Sequence, residues 1–183
     1  MITQLAVYDN SWYNPGGSPL KRFLWYFTNV LFFKNSWNPS SGLKIILLRL
    51  FGSKIGIGVR VNPSVNIKYP WHLEIGAHSW IGEGVWIDNL TSVKIGSNCC
   101  ISQGAMLLTG NHNYKKSEFD LITKSIILED GAWVGAQATV CPGVTLYSHS
   151  ILSVGSVATT NLEPHTIYQG NPALAVRKRI ISN

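Results

Sequence analysis

An aliphatic residue returns at every sixth position through most of the chain from residue 55 onward. Fourteen of the fifteen positions in this series hold Ile, Leu or Val, and the exception is an alanine. The series is Ile55, Val61, Ile67, Ile75, Ile81, Ile87, Ile95, Ile101, Leu107, Leu128, Val134, Val140, Leu146, Leu152 and Ala158. A period of six matches neither the 3.6-residue repeat of a helix nor the two-residue alternation of a strand. It is typical of a coil with three flat faces, in which each hexapeptide contributes one short strand and one corner.

The spacing between coils supports the same winding. The count is extended by two residues before Ile75 and again before Ile95, so that successive coils are 20 residues apart and their inward residues form columns. The fourth residue after each inward position is usually small or aliphatic and fits a narrow corner: Val59, Val65, Ser79, Val85, Thr91, Cys99, Ala105, Ala132, Ala138, Val144, Ser150 and Ser156. A β-sandwich is the alternative, but its strands would alternate with a period of two between turns about every 8–12 residues. The six-residue period favours stacked coils around one continuous core.

Several motifs carry a family resemblance. Ile75-Gly-Ala-His-Ser-Trp-Ile81-Gly, the stretch 128–136, Pro142-Gly-Val-Thr145 and Gly170-Asn-Pro-Ala173 resemble the hexapeptide-repeat acyltransferase superfamily. Within it, the chain is similar to the maltose/galactoside O-acetyltransferases and most closely to the colanic-acid-biosynthesis type of acetyltransferase. The resemblance implies an all-β fold, a left-handed parallel β-helix, and a homotrimer with active sites between subunits. The handedness comes from the resemblance alone, because the period does not determine it.

The domain organisation follows from where the period holds. We expect an N-terminal arm with short helices over residues 1–54, the β-helix over 55–169 with one extruded loop at 108–127, and a C-terminal basic tail at 170–183. Ser18 followed by Pro19 opens a capped helix, and an apolar run predicts a second helix over residues 42–51. Both helices are expected to cap the open end of the β-helix.

His112 is the predicted catalytic base. It lies in the loop that interrupts the period, and such insertions on a rigid scaffold commonly carry function. A lone histidine is more often structural or merely exposed, but Thr109-Gly-Asn-His112 resembles the loop that bears the catalytic histidine in this family. Acetyl transfer to a sugar hydroxyl needs a group that accepts a proton near neutral pH, and imidazole does so.

Other polar residues near His112 are predicted to contact it or the acceptor. Asn89 precedes Thr109 by 20 residues, so it should lie one coil away and orient His112 or the acceptor hydroxyl; a turn-stabilising role at a coil corner is the alternative. Asp88, Asn111 and Tyr114 are the predicted acceptor-binding residues. The galactoside enzymes carry an asparagine a few residues earlier, where this chain has Gly82 or Glu83, and this departure leaves the acceptor open.

The resemblance also implies acetyl-CoA as co-substrate, bound in a groove between adjacent β-helices. The predicted groove residues are Trp133, Ala136, Gly155 and Ser156, and Arg177 and Lys178 are predicted to meet the phosphates. A solvated C-terminal cap is the alternative for the basic residues. The chain has neither a Gly-x-Gly-x-x-Gly motif nor a P-loop. No metal site is predicted, because no two histidines have the spacing by which the γ-class carbonic anhydrases of this fold bind zinc.

Charge and hydropathy limit the partners. The net charge is +6, of which residues 1–54 carry +5. No nucleic-acid-binding motif accompanies it, so an anionic cofactor or an anionic membrane surface is the better partner. The apolar runs are about half the ~20 residues needed to span a bilayer. We expect a cytoplasmic protein, with peripheral contact at the inner face of the membrane through the arm as an open alternative.

The sequence thus predicts an acetyl-CoA-dependent O-acetyltransferase that acts on a sugar or sugar-containing intermediate in exopolysaccharide or other surface-polysaccharide biosynthesis. Two alternatives stay open. One is a non-catalytic hexapeptide scaffold, and the other is an N-acetyltransferase of an amino sugar.

Overall fold

The N-terminal arm is helical, as the sequence predicts. The computed structural model describes residues 2–182. Short 3₁₀ turns lie at Leu5–Val7 and Pro70–His72, and two α-helices, α1 (Pro19–Thr28) and α2 (Ser41–Leu50), enclose a π-helical turn at Asn29–Phe33. The side chain of Ser18 accepts a hydrogen bond from the backbone N–H of Lys21, which is the capping arrangement predicted for α1.

From residue 54 onward the chain forms short strands. They are β1 (Lys54–Ile55), β2 (Arg60–Val61), β3 (Asn66–Ile67), β4 (Leu73–Ile75), β5 (Trp80–Ile81), β6 (Trp86–Asp88), β7 (Val93–Ile95), β8 (Cys100–Ile101), β9 (Met106–Leu108), β10 (Gly110–His112), β11 (Leu121–Thr123), β12 (Ile126–Leu128), β13 (Trp133–Val134), β14 (Thr139–Val140), β15 (Thr145–Leu146), β16 (Ile151–Leu152), β17 (Val157–Ala158), β18 (Thr166–Gly170) and β19 (Ala173–Lys178).

Three sheets form the faces of a β-helix. Sheet A has the order β1-β4-β7-β12-β15, sheet B the order β19-β18-β16-β13-β8-β5-β2, and sheet C the order β17-β14-β9-β6-β3. All neighbouring strands are parallel except β18 and β19. The predicted fold class, an all-β left-handed parallel β-helix with a helical cap and one extruded loop, is confirmed.

The predicted inward positions form the core. Ile55, Ile75 and Ile95 pair in one column of sheet A, and the other two sheets contain equivalent columns. Fourteen of the fifteen positions are buried, and the exception, Ile55 on the edge strand, is half-buried. Of the twelve predicted corner residues, eleven are buried, and Thr91 is half-buried. The six-residue register is therefore correct along the whole β-helix.

The arm caps the first coil by satisfying its edge strands. Trp25 Nε1 donates to the backbone oxygen of Ile67 at 3.0 Å, and Arg49 donates to that of Ile55 at 2.8 Å. Lys44 is fully buried, and its ammonium binds the backbone oxygens of Asn38 at 2.8 Å and Val61 at 3.4 Å. These side chains hydrogen-bond to backbone oxygens that an open edge would expose, as capping requires.

The C-terminal segment departs from the prediction of a basic tail. Residues 166–170 and 173–178 form the antiparallel pair β18 and β19, and β18 adds to sheet B beside β16. This hairpin extends one face at the far end of the β-helix. The six-residue period did not predict this hairpin, because the chain reverses direction there instead of starting another coil.

Candidate active site

His112 stands at one end of the sheet C strands. The extruded loop contains a hairpin of β10 and β11, which begins directly after β9 leaves sheet C. Residues Gly110 and Asn111 pair with Thr123 and Ile122, and His112 pairs with Leu121. His112 is therefore held on a paired strand close to the β-helix and not on a free loop.

The imidazole of His112 is fixed in one tautomer. Its Nδ1 lies 2.9 Å from the backbone oxygen of Phe119. A carbonyl oxygen can only accept, so Nδ1 is the donor, and in the neutral imidazole the lone pair is then on Nε2. The ring also stacks on the Phe119 ring at a centroid distance of 4.4 Å with 6° between the planes. The histidine is thus oriented as a proton acceptor through Nε2.

Phe119 adopts a strained backbone conformation. Its φ is +54°, in the left-handed region that bulky residues rarely enter. Such a conformation costs on the order of 1–2 kcal/mol, and it persists where the surroundings enforce it, often at functional sites. Here the same residue supplies both the carbonyl and the ring that fix His112.

A cavity of about 470 Å³ opens beside His112. Its walls come from the hairpin, from the ends of the sheet C strands and from the N-terminal segment. The lining residues are Tyr8, Asn10, Tyr13, Lys68, Tyr69, Asp88, Leu90, Gly110, Asn111, His112 and Leu121. Gln4 N–H donates to the backbone oxygen of Ser117 at 2.8 Å, which ties the N-terminal segment to the loop.

Asp88 presents an acceptor inside this cavity. Lys68 Nζ lies 3.1 Å from Asp88 Oδ1. The buried Oδ1 is therefore paired with an ammonium group at the wall of the cavity. Tyr13 donates its hydroxyl to the backbone oxygen of Leu90 at 2.7 Å. Burial raises the pKa of the Tyr13 phenol, and the nearby Tyr69 and Asp88 raise it further. The phenol therefore stays protonated. The Asp88 carboxylate thus lines the cavity as the partner of Lys68, and its predicted role in binding the acceptor stays a prediction.

Asn89 is placed differently from the prediction. It is fully buried, its Oδ1 accepts from the backbone N–H of Tyr69 at 3.0 Å, and its Nδ2 donates to the Tyr69 backbone oxygen at 2.6 Å. Its amide thus satisfies the backbone of the neighbouring corner and does not bind His112. The predicted orienting role passes to Phe119, and Asn89 has the corner-stabilising role that was the alternative.

The two remaining acceptor-site predictions lie on the hairpin. Asn111 lines the cavity, and its Oδ1 accepts from the backbone N–H of His112 at 2.8 Å. Tyr114 is 74% exposed at the hairpin tip and does not line the cavity. Among the predicted acceptor-binding residues, the structure therefore groups Asp88 and Asn111 with His112 and leaves Tyr114 outside.

The predicted cofactor residues lie together at another corner. The N–H of Gly155 donates to the backbone oxygen of Ala136 at 2.9 Å, which stacks the two turns between sheets B and C. A side chain added at Gly155 would meet nothing within 4 Å, so the corner is open above it. Ser156 is buried and accepts from the N–H of Gly170 at 3.0 Å. Trp133 lies on the adjacent outer face of sheet B, 43% exposed, and donates Nε1 to Ser102 Oγ at 2.8 Å. This open corner with an aromatic wall can receive an extended ligand.

Arg177 and Lys178 lie on β19 and are exposed. Lys178 Nζ donates to Thr166 Oγ1 at 2.9 Å, whereas Arg179 turns inward and donates to the backbone oxygens of Gly131 and His149. The first two cations are available to an anionic ligand at the edge of sheet B, and the third has a structural role.

Within one chain, the predicted cofactor corner and His112 lie apart. Ala136 and Gly155 precede β14 and β17, at the start of the sheet C strands, whereas the His112 hairpin follows β9 at their end.

Within residues 2–182, no group of three or more His, Cys, Asp or Glu side chains is arranged to hold a metal ion.

Sequence reasoning missed the N-terminal contribution. Tyr8, Asn10 and Tyr13 line the cavity, and the Tyr8 ring lies 5.8 Å from that of His112. Lys68 and Tyr69 were missed as well. A polar, turn-rich segment far from the repeat does not show where it will pack. Its two tyrosines were the one available signal that it contributes to a binding site.

The comparisons with known proteins agree with this architecture. No family model matches the chain. A protein of Escherichia coli strain K12, named as the colanic acid biosynthesis acetyltransferase WcaF, is 34% identical over 167 residues, which cover 90% of this chain and 91% of that protein. A solved hexapeptide-repeat acetyltransferase from Vibrio cholerae, complexed with acetyl-CoA, has a TM-score of 0.78 at 21% identity, covering 87% of both chains. A galactoside acetyltransferase solved with coenzyme A has a TM-score of 0.76 at 21% identity, covering 87% of this chain and 81% of that one.

The two solved structures establish the fold, and the sequence relative establishes the family. Because 34% identity extends over nine tenths of both chains, the chain belongs to the hexapeptide-repeat acetyltransferase family and, within it, to the colanic-acid-biosynthesis type.

Proposed function

We propose that the protein is an acetyl-CoA-dependent O-acetyltransferase of a sugar or sugar-containing intermediate in surface-polysaccharide biosynthesis. The observation that carries this proposal is the fixed tautomer of His112, whose Nδ1–H is bound to Phe119 while the ring lines a cavity. A histidine in this state can accept a proton through Nε2.

The chemistry needs few groups. Nε2 of His112 takes the proton of the attacking sugar hydroxyl while the hydroxyl oxygen bonds to the thioester carbon. The carbon–sulfur bond then breaks, and the imidazolium returns its proton to the leaving thiolate of coenzyme A. The Asp88–Lys68 pair in the cavity wall can hydrogen-bond a second sugar hydroxyl and so orient the acceptor. Proton transfer of this kind contributes about 10²–10⁴-fold to the rate.

Acetyl-CoA is proposed to lie along the corner of Ala136 and Gly155, with Ser156 and Trp133 beside it and Arg177 and Lys178 near its phosphates. The open space above Gly155 and the exposed cations support this placement. The complexes of two solved relatives with acetyl-CoA or coenzyme A support the choice of co-substrate.

A homotrimer with active sites between subunits is proposed as the working assembly. His112 and the cofactor corner lie at opposite ends of the sheet C strands, so the corner that serves His112 would come from a neighbouring subunit. The outer face of sheet B also exposes a large aromatic side chain, Trp80, at 52%. Burying such a side chain between subunits would contribute to association.

The acceptor group is testable directly. We expect thiol release from acetyl-CoA with neutral hydroxyl sugars, and an acetylated product that loses its acetyl group in mild alkali, as an ester does and an amide does not. Matched pairs of hexoses and 2-amino-2-deoxyhexoses give the comparison. A product formed only from the amino sugar and stable to alkali would replace the O-acetyltransferase with an N-acetyltransferase.

The outer surface of the arm is proposed to contact the inner face of the cytoplasmic membrane. No helix within residues 2–182 is long and apolar enough to cross a bilayer. Helix α1 nevertheless exposes Leu20 (66%), Phe23 (60%) and Phe27 (46%), next to the basic residues Lys21 and Arg22. Aromatic and aliphatic side chains flanked by cations suit the headgroup region of an anionic membrane.

We expect co-sedimentation with vesicles that contain anionic lipid, weaker binding to neutral vesicles, and loss of binding at high salt. The double substitution Phe23→Ser and Phe27→Ser should reduce binding without a large loss of stability, because both rings are exposed. Trp25→Ser is the matched control. Trp25 is buried against the first coil, so its loss should lower the melting temperature and leave partitioning of the folded protein unchanged. Absence of binding to any vesicle would leave the arm as a cap alone.

A further inference from the structure

A second groove lies between the helical arm and the outer face of sheet C. It encloses about 350 Å³ between α1, the π-helical turn and the strands β3 and β6. Its walls are formed by Arg22, Trp25, Tyr26, Asn29, Val30, Lys34, Asn66, Lys68, Tyr69, Trp86 and Asp88. Three of these residues, Lys68, Tyr69 and Asp88, also line the cavity beside His112, so the groove and the catalytic cavity adjoin.

The groove is positively charged. Arg22, Lys34 and Lys68 are its cations, and Asp88 is its one anion, which leaves a net charge of +2. Asp88 is paired with Lys68 at 3.1 Å. Within residues 2–182, neither Arg22 nor Lys34 has a carboxylate within 4.0 Å. Two unpaired cations facing one groove attract an anionic group.

The groove also contains a buried acceptor atom without a donor among residues 2–182. Asn29 is only 8% exposed, and its Nδ2 donates to Asn66 Oδ1 at 2.8 Å, but its buried Oδ1 has no donor from residues 2–182. A buried polar atom without a partner costs free energy that a ligand donor would recover. A hydroxyl group would supply that donor.

We propose that this groove binds the diphosphate of a diphosphate-linked sugar, with the sugar extending past Asp88 towards His112. The inference rests on the proposed function and names its acceptor class. A diphosphate diester carries two negative charges, which match the free charges of Arg22 and Lys34. A hydroxyl of the ligand supplies the donor that Asn29 Oδ1 lacks. Trp86 (40% exposed) and Tyr26 (62% exposed) provide apolar surface for whatever the diphosphate carries on its far side.

Binding of inorganic pyrophosphate, measured by calorimetry on the intact protein without acetyl-CoA, tests the site independently of catalysis. We expect pyrophosphate to bind, and the double substitution Arg22→Gln and Lys34→Gln to weaken binding by at least about tenfold, because charge-assisted contacts are lost. Lys94→Gln is the control, since Lys94 is exposed on the outer face of sheet A. His112→Ala should bind pyrophosphate as the wild-type protein does. Equal binding by the double variant, or no binding by the wild type, would overturn the proposal.

Steady-state kinetics distinguish this site from the cofactor site and separate its test from that of the proposed function. With a diphosphate-linked sugar as acceptor, the double variant should raise the KM of the acceptor and leave the KM of acetyl-CoA unchanged. A raised KM for acetyl-CoA alone would assign the groove to the cofactor and contradict the proposal. If no acceptor is acetylated but pyrophosphate binding still depends on Arg22 and Lys34, the proposed function fails while the anion site stands.

Two further probes distinguish the sources of the diphosphate. Uridine diphosphate and farnesyl diphosphate share the anionic group but differ in what it carries. Tighter binding of the first than of pyrophosphate would indicate a nucleotide-linked sugar, with the base against Trp86 or Tyr26. Tighter binding of the second would indicate a lipid-linked sugar. Either result, if abolished in the double variant, supports the diphosphate site, and binding of either probe that is indifferent to that variant would contradict it.

Discussion

His112→Ala is expected to lower kcat by at least about 100-fold while the protein stays folded and oligomeric. The imidazole is the group in the cavity that the structure fixes as a proton acceptor, through the Nδ1 hydrogen bond to Phe119. The hairpin that carries it lies outside the three sheets of the β-helix, so its loss should not disturb the core. Steady-state kinetics with acetyl-CoA and a sugar acceptor measure the effect, and size-exclusion chromatography checks the assembly.

A matched histidine substitution serves as control. His78 is exposed in a turn with φ of +58°, a conformation that asparagine tolerates, and it does not line the His112 cavity. His78→Asn should therefore keep near-normal kcat, whereas His112→Asn should lose activity as His112→Ala does. Near-normal kcat in both His112 variants would remove this residue from the mechanism.

Val134→Asp is expected to abolish folding. Val134 is fully buried, and its strand pairs place it between Ile101 and Leu152 in the core column of sheet B. An aspartate there would bury an unpaired carboxylate at a cost of several kcal/mol. Native domains are stable by only about 5–15 kcal/mol, and the lost apolar contacts add to the penalty. Soluble yield, circular dichroism and thermal melting report the outcome.

The control for this experiment is Ile127→Asp. Ile127 points outward from sheet A and is 40% exposed, so the same charge meets solvent there. We expect this variant to melt cooperatively. A Val134→Asp protein that is soluble and melts with one transition would mean that the inward register at this coil is wrong.

The β-helix could be predicted because the same pattern of inward aliphatic residues recurs in every coil. Each inward aliphatic residue meets its counterpart in the coils above and below, as Val61 and Ile81 do, so an error at one position would have been visible at the next. The helical cap could be predicted because Ser18 and Pro19 form a local start signal that needs no tertiary information.

Asn89 shows where such reasoning stops. The sequence places it one coil below the loop, and this is correct, but the sequence does not show what its side chain binds. In the first two coils, the corner between sheets C and A contains two more residues than the other corners. The backbone N–H and oxygen of Tyr69 in this corner are left for the Asn89 amide to satisfy. The orienting group of His112 is instead a backbone carbonyl at Phe119, and a carbonyl is present at every residue, so no sequence pattern could identify it.

Long-range packing of irregular segments is the other limit. Tyr8 and Tyr13 reach the His112 cavity from a stretch with no period, and Gln4 is held by Ser117 from the far side of the loop. Lys44 contributes to the +5 charge of residues 1–54, yet its side chain is buried under the first coil, where desolvation lowers its pKa. Each of these contacts joins residues distant in sequence, which a local reading does not connect.

We propose that this chain transfers an acetyl group from acetyl-CoA to a sugar hydroxyl with His112 as the base. Thiol release from acetyl-CoA by the purified protein, followed with and without a panel of free and diphosphate-linked sugars, tests this transfer, together with mass spectrometry of each acceptor. The proposed transfer requires release that depends on the sugar, one acetyl group added per thiol released, and loss of both in His112→Ala. Thiol release with no sugar acetylated, or no release with any acceptor from a folded protein that binds acetyl-CoA, would contradict it.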